Sequence, residues 1–111
     1  MIVNGKNIET DNEGFLLHPE DWNHDVAEKL ADSVEVKMTD DHWQIVELVR
    51  EYYEINHSVP EARILLKDLG GQIGKEKATR KYLYSLFPYG YGQQACKIAG
   101  MRKPLKLMLD V

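Results

Sequence analysis

The chain has 111 residues, the length of one ordinary domain, with 43% hydrophobic residues, 29% charged residues and a formal net charge of −4. That balance supports one modest core and excludes a disordered or fibrous chain. No apolar run approaches the ~20 residues that cross a bilayer, and the single cysteine, Cys96, fits a reducing cytoplasm better than a disulfide-built secreted domain.

Ile2 and Val3 precede Asn4-Gly5, a pair suited to a type I′ turn because both residues tolerate positive φ. Lys6 to Thr10 should return as the second strand of a hairpin. No basic region followed by an apolar stretch marks a signal peptide here. Asp11-Asn12-Glu13-Gly14 reads as a further turn, and Phe15-Leu16-Leu17 as a short apolar strand or loop.

A helix is expected from Pro19 to Asp21 onward, where proline and acidic residues suit a first turn. Trp22, Val26 and Leu30 recur at four-residue spacing and share one face. Thr39 should cap a long helix reaching about Asn56. Gln44, Glu47, Glu51 and Glu54 form one polar stripe on it, and most other positions are apolar. A helix apolar around most of its circumference is buried on several sides, so this is the expected central helix.

Ser58-Val59-Pro60-Glu61 has the spacing of a capping box. The helix it opens carries Ala62, Ile64, Leu65, Leu66 and Leu69, with Gly70-Gly71 as its stop. The next helix is expected from Lys75 to Phe87, ended by Pro88. Gly90-Tyr91-Gly92 reads as a tight connector, and Gln93 to Ala99 as a short last helix ended by Gly100. The fold class is therefore mainly α (α+β): about five helices with a small N-terminal β-hairpin. Residues 1–100 form the domain and 101–111 a C-terminal arm. Trp22, Trp43, Val46, Val49, Tyr53, Leu65, Leu83 and Leu86 are the expected core.

Charge is unevenly placed. Residues 1–57 carry 14 acidic and 4 basic side chains, whereas residues 58–111 carry 4 acidic and 10 basic. Either both halves are simply solvated, or the basic half faces an acidic partner or a phosphate backbone. Lys75, Lys77, Arg80 and Lys81 concentrate this charge. They read as a solvated helix face or as a binding surface. The two helices around Gly70-Gly71 would in the second case form a helix-turn-helix, although DNA-binding domains tend to be basic overall.

Lys81-Tyr82-Leu83-Tyr84-Ser85-Leu86-Phe87-Pro88, then Gln94-Ala95-Cys96-Lys97-Ile98-Ala99-Gly100 and Lys103-Pro104, resemble the signature of the DsrC/TusE family. Asn4-Gly5-Lys6, Glu13-Gly14, Asp21-Trp22, His42-Trp43, Arg50-Glu51-Tyr52-Tyr53 and Gly74-Lys75-Glu76-Lys77 follow its pattern in order. The resemblance implies a helical, winged-helix-like fold with a mobile arm. It also implies a role in sulfur relay, with a persulfide carried on a cysteine near the end of that arm. A second cysteine eleven positions earlier can join the first in a disulfide or trisulfide. The implied partners are sulfur-donor complexes, sulfite reductase or a tRNA-thiolating enzyme.

Cys96 matches the earlier cysteine of that pair, but the arm position is Leu107, and Arg102 stands where the family usually has proline. One thiol cannot close an internal disulfide. Cys96 is thus the only possible persulfide site, and either it accepts sulfur alone or the chain has kept only its partner-binding role. Neighbouring Lys97, Arg102 and Lys103 would favour the reactive thiolate; a lone helical cysteine that packs as a small hydrophobe is the other reading.

Gly92, Cys96 and Gly100 lie four apart and suggest a shallow groove for a backbone. Leu105, Leu107 and Leu109 alternate with Lys106 and Met108, as a segment that lays one side on protein. An arm at best partly docked over the glycine stripe, and ordered by a partner, is the expectation. Lys75, Lys77, Arg80, Lys81, Lys97, Arg102, Lys103, Leu105 and Leu107 are the candidate partner-binding residues. No metal-ligand spacing, phosphate loop or nucleophile–base–acid set is visible, so no cofactor or self-sufficient active site is expected. A monomer without a membrane partner completes the reading, with a family-derived DNA-binding regulator as the alternative.

Overall fold

Asn4 and Gly5 both take positive φ, 52° and 81°. They join β1 (Ile2–Val3) to β2 (Lys6–Asn7) as an antiparallel hairpin in which Ile2 faces Asn7 and Val3 faces Lys6. This is the turn that the Asn-Gly pair dictates. The computed structural model describes residues 1–104. Beyond β2, Thr10 bridges Leu16, and the Asp11 carboxylate caps the intervening turn by accepting from Glu13 N and Phe15 N at 2.9 and 3.0 Å. Phe15 and Leu16 are thereby placed in the core.

The proline-led helix start holds for only a single 3₁₀ turn, Pro19–Asp21. Trp22 is extended, and α1 (His24–Ser33) begins afresh at Asn23, whose side chain accepts from Val26 N at 2.9 Å. An asparagine cap satisfies an orphan amide that proline leaves untouched. Val26, Ala27, Leu30 and Ala31 face inward.

α2 (Asp40–Asn56) starts at Thr39, as its sequence predicts. His42 takes the place usual for Glu in a capping box: its Nδ1 accepts from Thr39 N at 3.2 Å. Its Nε2 donates to Leu86 O at 2.9 Å and so joins the start of α2 to the end of α4 (Arg80–Leu86). Ile45, Val46, Leu48 and Val49 are buried, but Trp43 and Tyr53 are half-buried and Ile55 is 78% exposed. The helix is therefore covered along its middle and not around its C-terminal turn.

α3 (Ala62–Ile73) departs from expectation at both ends. Ser58 does not cap it. Pro60 holds the residue before it extended, and the helix begins after Glu61. It also runs through Gly70 and Gly71 to Gly74, whose φ of 93° ends it. Each helical glycine is disfavoured by only about 1 kcal/mol, and the packing of Leu69 and Ile73 against the core offsets this. α4 correspondingly starts late. Thr79 caps it by accepting from Tyr82 N, and residues 75–78 remain loop. Leu83 and Phe87 reach the core, whereas Leu86 and Trp22 are only half-buried.

α5 (Tyr91–Cys96) has the wide π pitch, and Lys97 and Ile98 continue it in α form. It begins two residues earlier than expected: Tyr91 is a fully buried core residue of the helix and not part of a connector. α2 packs on α3 and α5 and so carries the core. Among the described residues no helix is long and apolar enough to cross a membrane.

Candidate functional site

Residues 94–101 are all buried, so α5 is a spine threaded through the domain and not a surface helix. Cys96 lies on it with no exposed surface. Burial disfavours the thiolate and pushes the thiol pKa up to about 12, although the Tyr91 hydroxyl beside it pulls the other way. Tyr91 in turn donates to Pro60 O at 2.8 Å. Burial, then the neighbouring thiol, hold its own pKa well above the usual phenol range. The hydroxyl proton of Tyr91 is committed to Pro60 O, and the thiol lies beside that hydroxyl. The arrangement keeps Cys96 buried and disfavours its thiolate.

The expected help from nearby cations is absent. The Lys97 ammonium points to the N-terminal turn, where it donates to Glu13 O at 2.6 Å and lies 4.7 Å from the Phe15 ring centroid. It is 8% exposed and committed inside the fold. The glycine groove is also filled. Gly100 has φ +76°, and a Cβ there would fall 2.7 Å from Trp22 Cγ. The Trp22 ring occupies the space that a docking backbone would need.

The end of the α5 spine shows how it is fixed. A helix C-terminus leaves its last carbonyls without intrahelical partners. Met101 N donates to Cys96 O at 3.1 Å and Gly100 N to Lys97 O at 3.0 Å, the paired bonds of a glycine-terminated Schellman cap. Ile98 O accepts from Trp22 Nε1 at 2.7 Å, and Ala99 O from Arg50 Nη1 at 3.2 Å. Arg50 also donates to Pro19 O at 3.0 Å and pairs with Glu54 at 3.1 Å. Its guanidinium sits 4.7 Å from the Trp22 ring centroid. Burial lowers its pKa, against the opposing pull of Glu54.

The other candidate residues divide by place. Lys75, Lys77, Arg80 and Lys81 are all exposed, the first two in the loop before α4 and the others on its first turn. Lys77 lies 5.4 Å from the Tyr82 ring centroid. Arg102 and Lys103 are exposed, and Lys103 pairs with the Glu13 carboxylate. Leu105 and Leu107 lie outside the described residues, as does most of the expected arm. The structure thus separates the buried thiol from a basic surface. Among the described residues no cluster of His, Cys, Asp and Glu could hold a metal ion.

Sequence reasoning placed the helix end at Gly100 but missed Tyr91 and the capping roles of Trp22 and Arg50. One signal was present: an arginine that follows the apolar Ile45, Val46, Leu48 and Val49 must either reach solvent or find fixed acceptors.

Comparison with known proteins places this architecture. The family described as DsrC like protein matches residues 2–108. The sulfurtransferase TusE homolog of Haemophilus influenzae is 39% identical over 108 residues, which cover 97% of this chain and 99% of that one. Sulfurtransferase TusE of Escherichia coli K12 is 40% identical over 106 residues, covering 96% and 97%. Allochromatium vinosum DsrC superposes with a TM-score of 0.86 at 45% identity, over 95% of this chain and 94% of that one. The oxidized gamma-subunit of the dissimilatory sulfite reductase from Archaeoglobus fulgidus gives 0.85 at 34% identity, over 94% and 95%. With a matching fold, nearly full coverage and the shared signature around Cys96, the chain belongs to the DsrC/TusE family of sulfur-relay proteins.

Proposed function

We propose that this member serves sulfur relay by docking, in the cytoplasm, onto a sulfur-donor or sulfite-reductase-type protein complex. Its own thiol takes no sulfur while the α5 spine is closed. The observation that carries the reading is the complete burial of Cys96, the only cysteine in the chain. Persulfide transfer needs a thiolate to attack a sulfane sulfur, with the displaced sulfur leaving as a thiolate. Cys96 is held as a thiol, and the arm position that carries sulfur in the family is Leu107 here.

What remains for recognition is surface. Lys75, Lys77, Arg80 and Lys81 supply an exposed basic patch, and Arg102 and Lys103 add exposed charge at the arm root; Leu105 and Leu107 are the apolar residues of the arm sequence. Such a surface suits an acidic partner and speeds association through long-range attraction. The arm, residues 101–111, is the proposed docking peptide. Lys97 is left out of this set because its ammonium is bound to Glu13 O.

The test is intact mass after the native protein meets inorganic polysulfide, with and without denaturant. The unfolded chain should gain sulfur on Cys96 and the native chain should not. Rapid sulfur addition to the native chain overturns the docking reading in favour of a single-thiol carrier. Glutamate at positions 75, 77, 80 and 81 together should weaken binding to a purified sulfur-donor complex and reduce its salt dependence.

A further inference from the structure

The α5 spine ends in a fixture built from parts far apart in the chain. Its last carbonyls would ordinarily be met by water or by local turns. Here Trp22 meets Ile98 O and Arg50 meets Ala99 O, from 76 and 49 residues away. The same guanidinium holds Pro19 O, so the turn that carries Trp22 is tied to the group that holds Ala99. The Trp22 ring then lies over Gly100, which turns the chain at φ +76°. Met101 is still fully buried, and Arg102 is the first exposed residue after this point.

We infer that Arg50 and Trp22 are positioning residues that fix the direction in which the arm leaves the domain. Packing alone does not call for this chemistry. A guanidinium with a side chain only 12% exposed is disfavoured by desolvation, and an apolar residue would fill the space more cheaply. What an apolar residue cannot do is hold two carbonyls of separate segments, which Arg50 Nη1 does alone while Nη2 of the same planar group is held by Glu54. Lysine offers one point charge and loses that geometry. Tryptophan is used in the same way, since its indole N–H is its only polar group and is aimed at one carbonyl. The Glu13 turn lines the exit on a further side, with its carbonyl on Lys97 and its carboxylate on Lys103. The arm therefore starts at Arg102 from a fixed base.

The inference rests on the docking reading above for its purpose, but its test needs no partner. A nitroxide label is placed at the arm root through Arg102→Cys, and in a separate protein at exposed Glu28→Cys on α1 as reference. Buried Cys96 does not compete for reagent. Trp22→Phe and Arg50→Lys are then introduced in each background, and folding is checked by thermal melting. Rotational correlation time at position 102 should shorten about threefold or more in both variants, with position 28 unchanged. An unchanged label at 102, or an equal change at 28, overturns the assignment. Trp22→Phe removes the N–H donor together with part of the ring that lies over Gly100 and keeps a smaller aromatic ring, so it remains decisive if Arg50→Lys does not fold. Failure of the docking reading would appear instead in the polysulfide and binding measurements, which leave the label untouched.

Discussion

The Cys96 thiol and the Tyr91 hydroxyl share one enclosed site, five residues apart along α5. The π pitch matters here, because it brings residues five apart onto the same side of the helix, where α winding aligns those three and four apart. Tyr91 passes the link on to Pro60, so the thiol belongs to a buried network that joins α5 to the entrance of α3.

Native Cys96 should therefore react with a maleimide far more slowly than the unfolded chain at neutral pH. Oxidant should leave the native chain without an internal disulfide, since it has one cysteine. Loss of two hydrogens from a single chain, without an adduct, would contradict this.

The same burial sets a pH dependence. The folded thiol titrates at about 12 against an ordinary value of 9.0. Below the ordinary value both states hold the proton and the contribution to stability is complete. Between the two values the unfolded chain loses the proton first, so stability falls as pH rises. Chemical denaturation from pH 8 upward should show a steeper loss for the parent than for Cys96→Ala. Equal slopes would place the thiol in water.

Tyr91→Phe leaves Pro60 O without its partner. A buried group left unsatisfied is disfavoured by about 1–3 kcal/mol, and denaturant melts should read a loss of that order. A change near zero would mean that water reaches the site.

Val49 and Ile55 lie on the same helix but in opposite environments, 0% and 78% exposed. Val49→Ala removes two buried methyl groups and should destabilise by about 2 kcal/mol, cavity included. Ile55→Ala should stay within about 0.5 kcal/mol. Similar effects at both positions would refute the assigned face of α2.

Gly100→Ala meets two obstacles at once. Its left-handed backbone is disfavoured by about 1–2 kcal/mol for a residue with a side chain, and the added carbon meets the Trp22 ring. The expected outcome is a loss of stability together with a red-shifted tryptophan emission as Trp22 is displaced. Unchanged emission would show that the ring does not cover Gly100.

Much of the fold was legible in order along the chain. Asn4-Gly5 specifies its turn through backbone preference alone, and Thr39 marks the start of α2 because few residues satisfy a free amide so well. The spacing of Val46 and Val49, and the inward side of Leu65, Leu69 and Leu83, follow from helical periodicity. Errors arose where two local signals competed. Pro60 overrode the Ser58 capping box, and the packing of Leu69 carried α3 through Gly70-Gly71.

The count of thiols is likewise a property of sequence: with Leu107 in the arm, no internal disulfide can form whatever the fold. Whether the remaining thiol is reactive is not. Cys96 has the same neighbours along the chain whether α5 lies at the surface or through the core, and only tertiary packing, with α2 against α5, removes the water that a thiolate requires. The roles of Trp22 and Arg50 were hidden for the same reason. Capping and periodicity act over a few residues and can be read from them. The acceptors of Trp22 and Arg50 lie 76 and 49 residues away, and three-dimensional packing alone brings them within bonding distance.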